Sequence, residues 1–202
     1  MAVIAGLLLA LWIALGYGAW AAYTPEIFAQ KLFYTPLALA GWLAYRQLLP
    51  RIFPAATGAA EAPKPVSARG VLAGVATGIF LILPVLASSQ VAAAAIGPGR
   101  PSQAPLVLLL GLVVPILEEL LYRDGLQRYL AARIGTAGRM PAASIALASA
   151  VFGLVHAFPA SLYIAACGTA FGVLYWRYGL ISAILAHAVY NLGLLLAPWA
   201  FH

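Results

Sequence analysis

The stretch PILEELLYRDG, residues 115–125, sets two adjacent glutamates inside an apolar run of a chain that has only five acids. A charged acid at the centre of a bilayer costs roughly 2.5 to 3.5 kcal/mol, so the pair needs a compensating reason to exist. Arg123 supplies part of it. It lies four residues after Glu119, on one helical face, where a carboxylate and a guanidinium can pair. Glu118 is displaced about 100° around the helix from that face. Two of the three histidines, His156 in FGLVHAF and His187 in AILAHAVYN, also interrupt apolar runs. Phe152 and His156 are four apart, as are His187 and Asn191, so each pair presents one helix face. Asn191 adds amide donors and an acceptor where unpaired polar groups are expensive.

Any one of these groups has an ordinary explanation. Glu118, Glu119 and Arg123 could cap a helix at the headgroups, and a single histidine could be a satisfied core residue. Together they suit hydrolysis by water, which requires a base, a group to position the water and donors for the oxyanion. Glu118, His156 and the His187/Asn191 pair can fill those roles. Competing intramembrane hydrolase chemistries drop out by subtraction. Asp124 is the only aspartate, so a two-aspartate site is impossible. The chain has no H-E-x-x-H and no G-x-S-x-G, and Ser182 has no activating context. Cys167, the one cysteine, lies in YIAACGTAFG, excludes an intrachain disulfide and reads as a core thiol.

The elements that hold these groups follow from composition. The 202-residue chain is 64% hydrophobic and 8% charged, which excludes an ordinary soluble domain. No Asp, Glu, Lys or Arg occurs from Met1 to Pro25, Gly70 to Gly99, Pro101 to Leu117, Met140 to Trp176 or Tyr178 to His202. Each run is about long enough, or nearly twice long enough, to cross a core of roughly 30 Å. The first lacks a basic n-region, so it reads as a transmembrane helix rather than a cleaved signal peptide. The expected fold is all-α: a single integral-membrane domain over 1–202, a polytopic helical bundle of about seven transmembrane helices. They fall at about 3–23, 32–49, 70–96, 105–134, 141–158, 160–176 and 180–200. Gly70, Gly74 and Gly78, like Gly168 and Gly172, recur every fourth residue and indicate close helix packing.

The net charge of +6 does not call for nucleic acid, because its placement is topological. Even loops hold Arg46, Arg51, Lys64, Arg69, Arg123, Arg128, Arg133, Arg139 and Arg177; odd loops hold Lys31 and Arg100. This asymmetry puts the N-terminus and the even loops in the cytoplasm of a bacterial-type inner or cell membrane, with lipid as the surrounding partner. Counted from the even-loop ends, Glu118 lies roughly 24 Å along its helix and His156 roughly 22 Å, whereas His187 and Asn191 lie nearer 10 and 16 Å.

EELLYR, then FGLVH, then HAVYN resembles the E-E-x-x-x-R, F-x-x-x-H and H-x-x-x-N series of the CAAX prenyl endopeptidase and bacteriocin-processing family, also called abortive-infection-like. The motifs occur in the right order on apolar helices and cover about 105–192. The resemblance implies a glutamate-dependent intramembrane endopeptidase in an all-helical bundle, and the expected substrate is a membrane-anchored protein or peptide. By motif position, Glu118 would activate water with His156, His187 and Asn191 would stabilise the oxyanion, and Glu119 with Arg123 would support the site. Tyr122 stands where the family usually has phenylalanine. Asp124-Gly125 departs further, since glycine commonly follows the arginine directly.

Glu118, His156 and His187 are also a set that a catalytic zinc uses. The usual helical spacing of two histidine ligands is missing, however, and Asn191 is a better oxyanion donor than ligand, so a metal-free site is expected. Two other classes compete with a protease. One is a non-proteolytic membrane scaffold or immunity-type partner that keeps the polar cluster for packing specificity. The other, a proton-coupled transporter, is disfavoured by the lack of repeat halves and paired broken helices.

Overall fold

The computed structural model describes residues 64–87, 107–134, 140–156 and 160–200, together with Ala40, Trp42, Leu43 and Gln47. The expected first helix and nearly all of the second lie outside the described residues. The described chain is helical, with no strand among the described residues. Its elements are α1 (Ala68–Ala87), a continuous helix α2 over 107–134, α3 (Ala142–Leu154), α4 (Ala160–Tyr178) and α5 (Leu180–Ala200).

Among the described residues, α1 is the one helix long and apolar enough to cross a membrane. Its start is capped by the Ser67 hydroxyl, which accepts the Gly70 amide at 3.1 Å. Gly70, Gly74 and Gly78 are its buried stripe, and α5 lies against them. A Cβ on Gly74 would stand 2.5 Å from the Ser182 carbonyl oxygen, and one on Gly78 2.5 Å from that of Ala186. Only glycine lets these backbones come so close. The opposite side of α1 exposes Leu72, Ile79, Phe80 and Leu83. Between the helices lies a core of Ile82, Cys167, Phe171, Leu174, Ala183, Ala186 and Tyr190.

Helix α2 is not uniformly α-wound. It is π-helical over Leu109–Val113 and Leu120–Gln127, and α-helical over Val114–Glu119 and Arg128–Ile134. Pro115 accounts for the first widening, because it cannot donate to the preceding turn and its ring crowds the carbonyl four residues back. In the second, the wider turn brings Tyr122, Arg123, Asp124, Gly125 and Gln127 to buried positions within six residues. The Asp124-Gly125 departure therefore sits inside a continuous helix.

Helix α3 stops earlier than its expected span of 141–158. It ends at Leu154, and the His156 amide donates to the Gly153 carbonyl at 3.0 Å in a closing turn. His156 thus stands just beyond the helix rather than on it. Helices α4 and α5 are joined at Gly179, whose φ of +93° is the left-handed conformation that favours glycine. Here Lys64 donates to the Trp176 carbonyl and its ammonium lies 5.3 Å from the Trp176 ring centre. Arg128 reaches the same end of α4 through Asp124, to which Tyr175 also donates. Basic residues assigned to three different even loops, Lys64, Arg128 and Arg177, are therefore gathered near one end of α4.

Candidate active site

Glu118 and Glu119 close the α-helical segment of α2, and both are buried. Arg123 is fully buried and donates from Nε to Glu119 Oε2 at 2.9 Å, the pairing expected from their spacing. Its guanidinium also lies 5.5 Å from the centre of the Phe152 ring, a cation–π contact. Gly168 makes room for it: a Cβ there would be 3.3 Å from Arg123 Nη2 and 3.0 Å from Phe152 Cδ1.

The other oxygen of Glu119 receives His187, whose Nδ1 stands 2.9 Å from Oε1. On the far side of that ring, Nε2 is 3.6 Å from Glu118 Oε2. His187 therefore sits between the two carboxylates. Depth counting separates Glu118 and His187 by roughly 14 Å on the premise that the even-loop ends of α2 and α5 are level. Their contact shows that these ends are not level. Glu118 and Glu119 lie in the α-wound part of α2, about 100° apart, and meet the same imidazole at its two nitrogens.

Aromatic rings fix His187 in place. Phe171 of α4 stacks on it at 4.8 Å with an 18° tilt, and Phe152 meets it edge-on at 5.7 Å and 87°. Phe152 also touches His156, with ring centres 5.0 Å apart, and Tyr122, again at 5.0 Å. The Phe152 ring is thus common to both histidines and to Arg123. His156 Nδ1 lies 2.7 Å from the Phe152 carbonyl. Since a carbonyl only accepts, Nδ1 is the protonated nitrogen and Nε2 of a neutral ring is an acceptor. Asn191 donates from Nδ2 to the Leu110 carbonyl at 2.9 Å, in the first π segment of α2.

Sequence reasoning missed four residues that complete this arrangement. Phe171 gave no signal beyond an aromatic in an apolar run. Gln127 is buried and donates to the Gly172 carbonyl at 3.0 Å, with a Cβ on Gly172 falling 2.7 Å from its Oε1. Asp124 and Tyr175 meet through a hydrogen bond that no local pattern announces. Among the described residues, no group of three His, Cys, Asp or Glu side chains is arranged as a metal site. His187 uses Nδ1 on Glu119 and His156 uses Nδ1 on Phe152, so any metal would have to be met from their Nε2 atoms.

Residues 100–193 match the family model described as type II CAAX prenyl endopeptidase Rce1-like. The matched segment contains all of α2, α3 and α4 and every candidate site residue, and it begins after α1. It is the same family that the three sequence motifs resemble. No curated protein and no solved structure matches the chain.

Proposed function

We propose that the chain is an integral-membrane endopeptidase that hydrolyses a peptide bond of a membrane-associated or lipidated protein, using water activated by Glu118 and His156. The observation that carries this reading is the buried meeting of Glu118, Glu119 and His187 inside the segment that matches the endopeptidase family. In this reading Glu118 takes a proton from water as the oxygen attacks the scissile carbonyl, then delivers it to the departing amine as the C–N bond breaks. His156, with Nδ1 held on the Phe152 carbonyl, orients the water through Nε2. The oxyanion is met by His187 and Asn191. One amide proton of Asn191 is engaged by Leu110, which fixes the group, and an amide carries a second. Donation from His187 Nε2 requires the doubly protonated ring, for which Glu119 and Glu118 are the counter-charges.

The site is read as metal-free, because its imidazole, carboxylate and amide groups suffice for base and oxyanion roles. The test compares the ends of membrane proteins from cells carrying the wild-type chain with those from cells carrying an inactive one, then follows the affected substrate with purified enzyme. Cleavage should survive prolonged chelation, and elemental analysis should find no stoichiometric zinc. Activity abolished by chelators and restored by one zinc per chain would convert Glu118, His156 and His187 into ligands.

The enclosing fold is read as a bundle of about seven transmembrane helices with the N-terminus in the cytoplasm, supported by α1 and by the basic residues gathered near one end of α4. Cysteines at the exposed positions Val66 and Ile134, in a Cys167→Ala background, should both be labelled by an impermeant reagent from the cytoplasmic side only. Labelling from the opposite face would reverse the orientation.

A further inference from the structure

Asp124 occupies the position at which this chain departs from the motif it otherwise follows, and its carboxylate is buried. A carboxylate removed from water is tolerated only when donors surround it. Here they come from three stretches of chain. Arg128 Nη1 donates to Oδ1 at 3.0 Å, and the Tyr175 hydroxyl of α4 reaches the same oxygen at 3.4 Å. Trp42 Nε1 donates to Oδ2 at 3.1 Å. An indole N–H can only donate, and Trp42 is 4% exposed, so the contact satisfies a buried atom on each side. Trp42 lies upstream of α1 and outside the segment that matches the family.

We infer that Asp124 is a positioning residue that ties the upstream part of the chain, through Trp42, to the helix bearing the glutamate pair, and so sets the Arg123–Glu119–His187 series. Asp124 follows Arg123 directly, within the π-wound turn Leu120–Gln127. Rotation of that turn would carry Arg123 Nε away from Glu119 Oε2, and the opposite oxygen of the same carboxylate holds His187 Nδ1. The Trp42–Asp124 bond opposes such rotation from outside the family segment. The catalytic consequence rests on the endopeptidase reading. The mechanical coupling does not.

The test uses the full chain, purified in detergent with nitrogen-15-labelled histidine. The side-chain Nδ1 resonance of His187, identified by its loss in His187→Gln, is followed in Trp42→Phe and in Asp124→Asn. The first keeps an aromatic ring and removes the N–H; the second keeps an oxygen acceptor and the shape. Each variant should displace or broaden the His187 signal, and the double variant should displace it no further than the stronger single one, because both break the same link. Ser67→Ala, which removes the α1 cap, should lower the thermal midpoint and leave that signal in place. Variants at Trp42 and Asp124 that lower the midpoint yet leave the His187 signal unmoved would make Asp124 a packing group and overturn the proposal. Should Asp124→Asn not accumulate, Tyr175→Phe combined with Trp42→Phe carries the same comparison. Where a processing substrate is in hand, kcat should fall by up to about a hundredfold with KM nearly unchanged. A displaced His187 signal in a chain that cleaves nothing would remove the endopeptidase reading and leave the positioning role standing.

Discussion

Glu118→Gln should abolish the proposed processing and leave the protein inserted and folded. The amide keeps the size and planarity of the carboxylate, so the buried position against His187 remains filled, but it cannot accept the proton of an attacking water. Loss of a general base lowers turnover by roughly 10²- to 10⁴-fold. The measurement is turnover of the processed substrate, set beside a thermal unfolding curve and size-exclusion profile matching those of the wild type. Glu118→Asp distinguishes placement from charge: it keeps the carboxylate and withdraws it by one methylene, so partial activity is expected. Full turnover by the glutamine variant would remove Glu118 as the base and transfer attention to His156 or Glu119.

How far the sequence carries toward this site differs from residue to residue. The helices around Glu118, His187 and Asn191 are legible because charge-free runs of this length have few alternatives in a membrane. The Glu119–Arg123 pair is legible because its spacing is local. The end of α3 is not, since apolar patterning continues through Val155 while the chain turns at Val155–His156, one turn after Gly153 packs so closely on α4 that a Cβ would stand 2.5 Å from the Ser161 carbonyl oxygen. Nor does any local pattern reveal that Glu119 holds His187, 68 residues away. The packing of α5 against α2 decides that contact, and the π segments of α2 leave no hydrophobic period by which to recognise them. Asp124 shows both limits. Its partner Arg128 lies one turn on, in plain view, whereas Trp42 is 82 residues distant and belongs to a part of the chain that the motifs do not reach.

The Glu119–Arg123 pair leads to the largest expected effect on stability. Arg123→Ala should leave little folded protein, because it removes the counter-charge from a carboxylate with no exposed surface and empties the space between Phe152 and Gly168. Breaking a buried ion pair by deleting one partner costs about 3–5 kcal/mol, comparable to a large share of a domain's total stability. His187 cannot replace the guanidinium, since it already occupies the second oxygen of Glu119 and faces Glu118 with its other nitrogen. The cost of the stranded charge can be separated from the cost of lost packing. Adding Glu119→Gln to Arg123→Ala removes the charge and keeps the cavity, so the double variant should be more stable than Arg123→Ala alone, though less stable than the wild type and inactive. The comparison is read from thermal unfolding in detergent and from the fraction of protein that elutes as a single species. A double variant no more stable than Arg123→Ala would mean that packing against Phe152, rather than charge compensation for Glu119, is the chief contribution of Arg123.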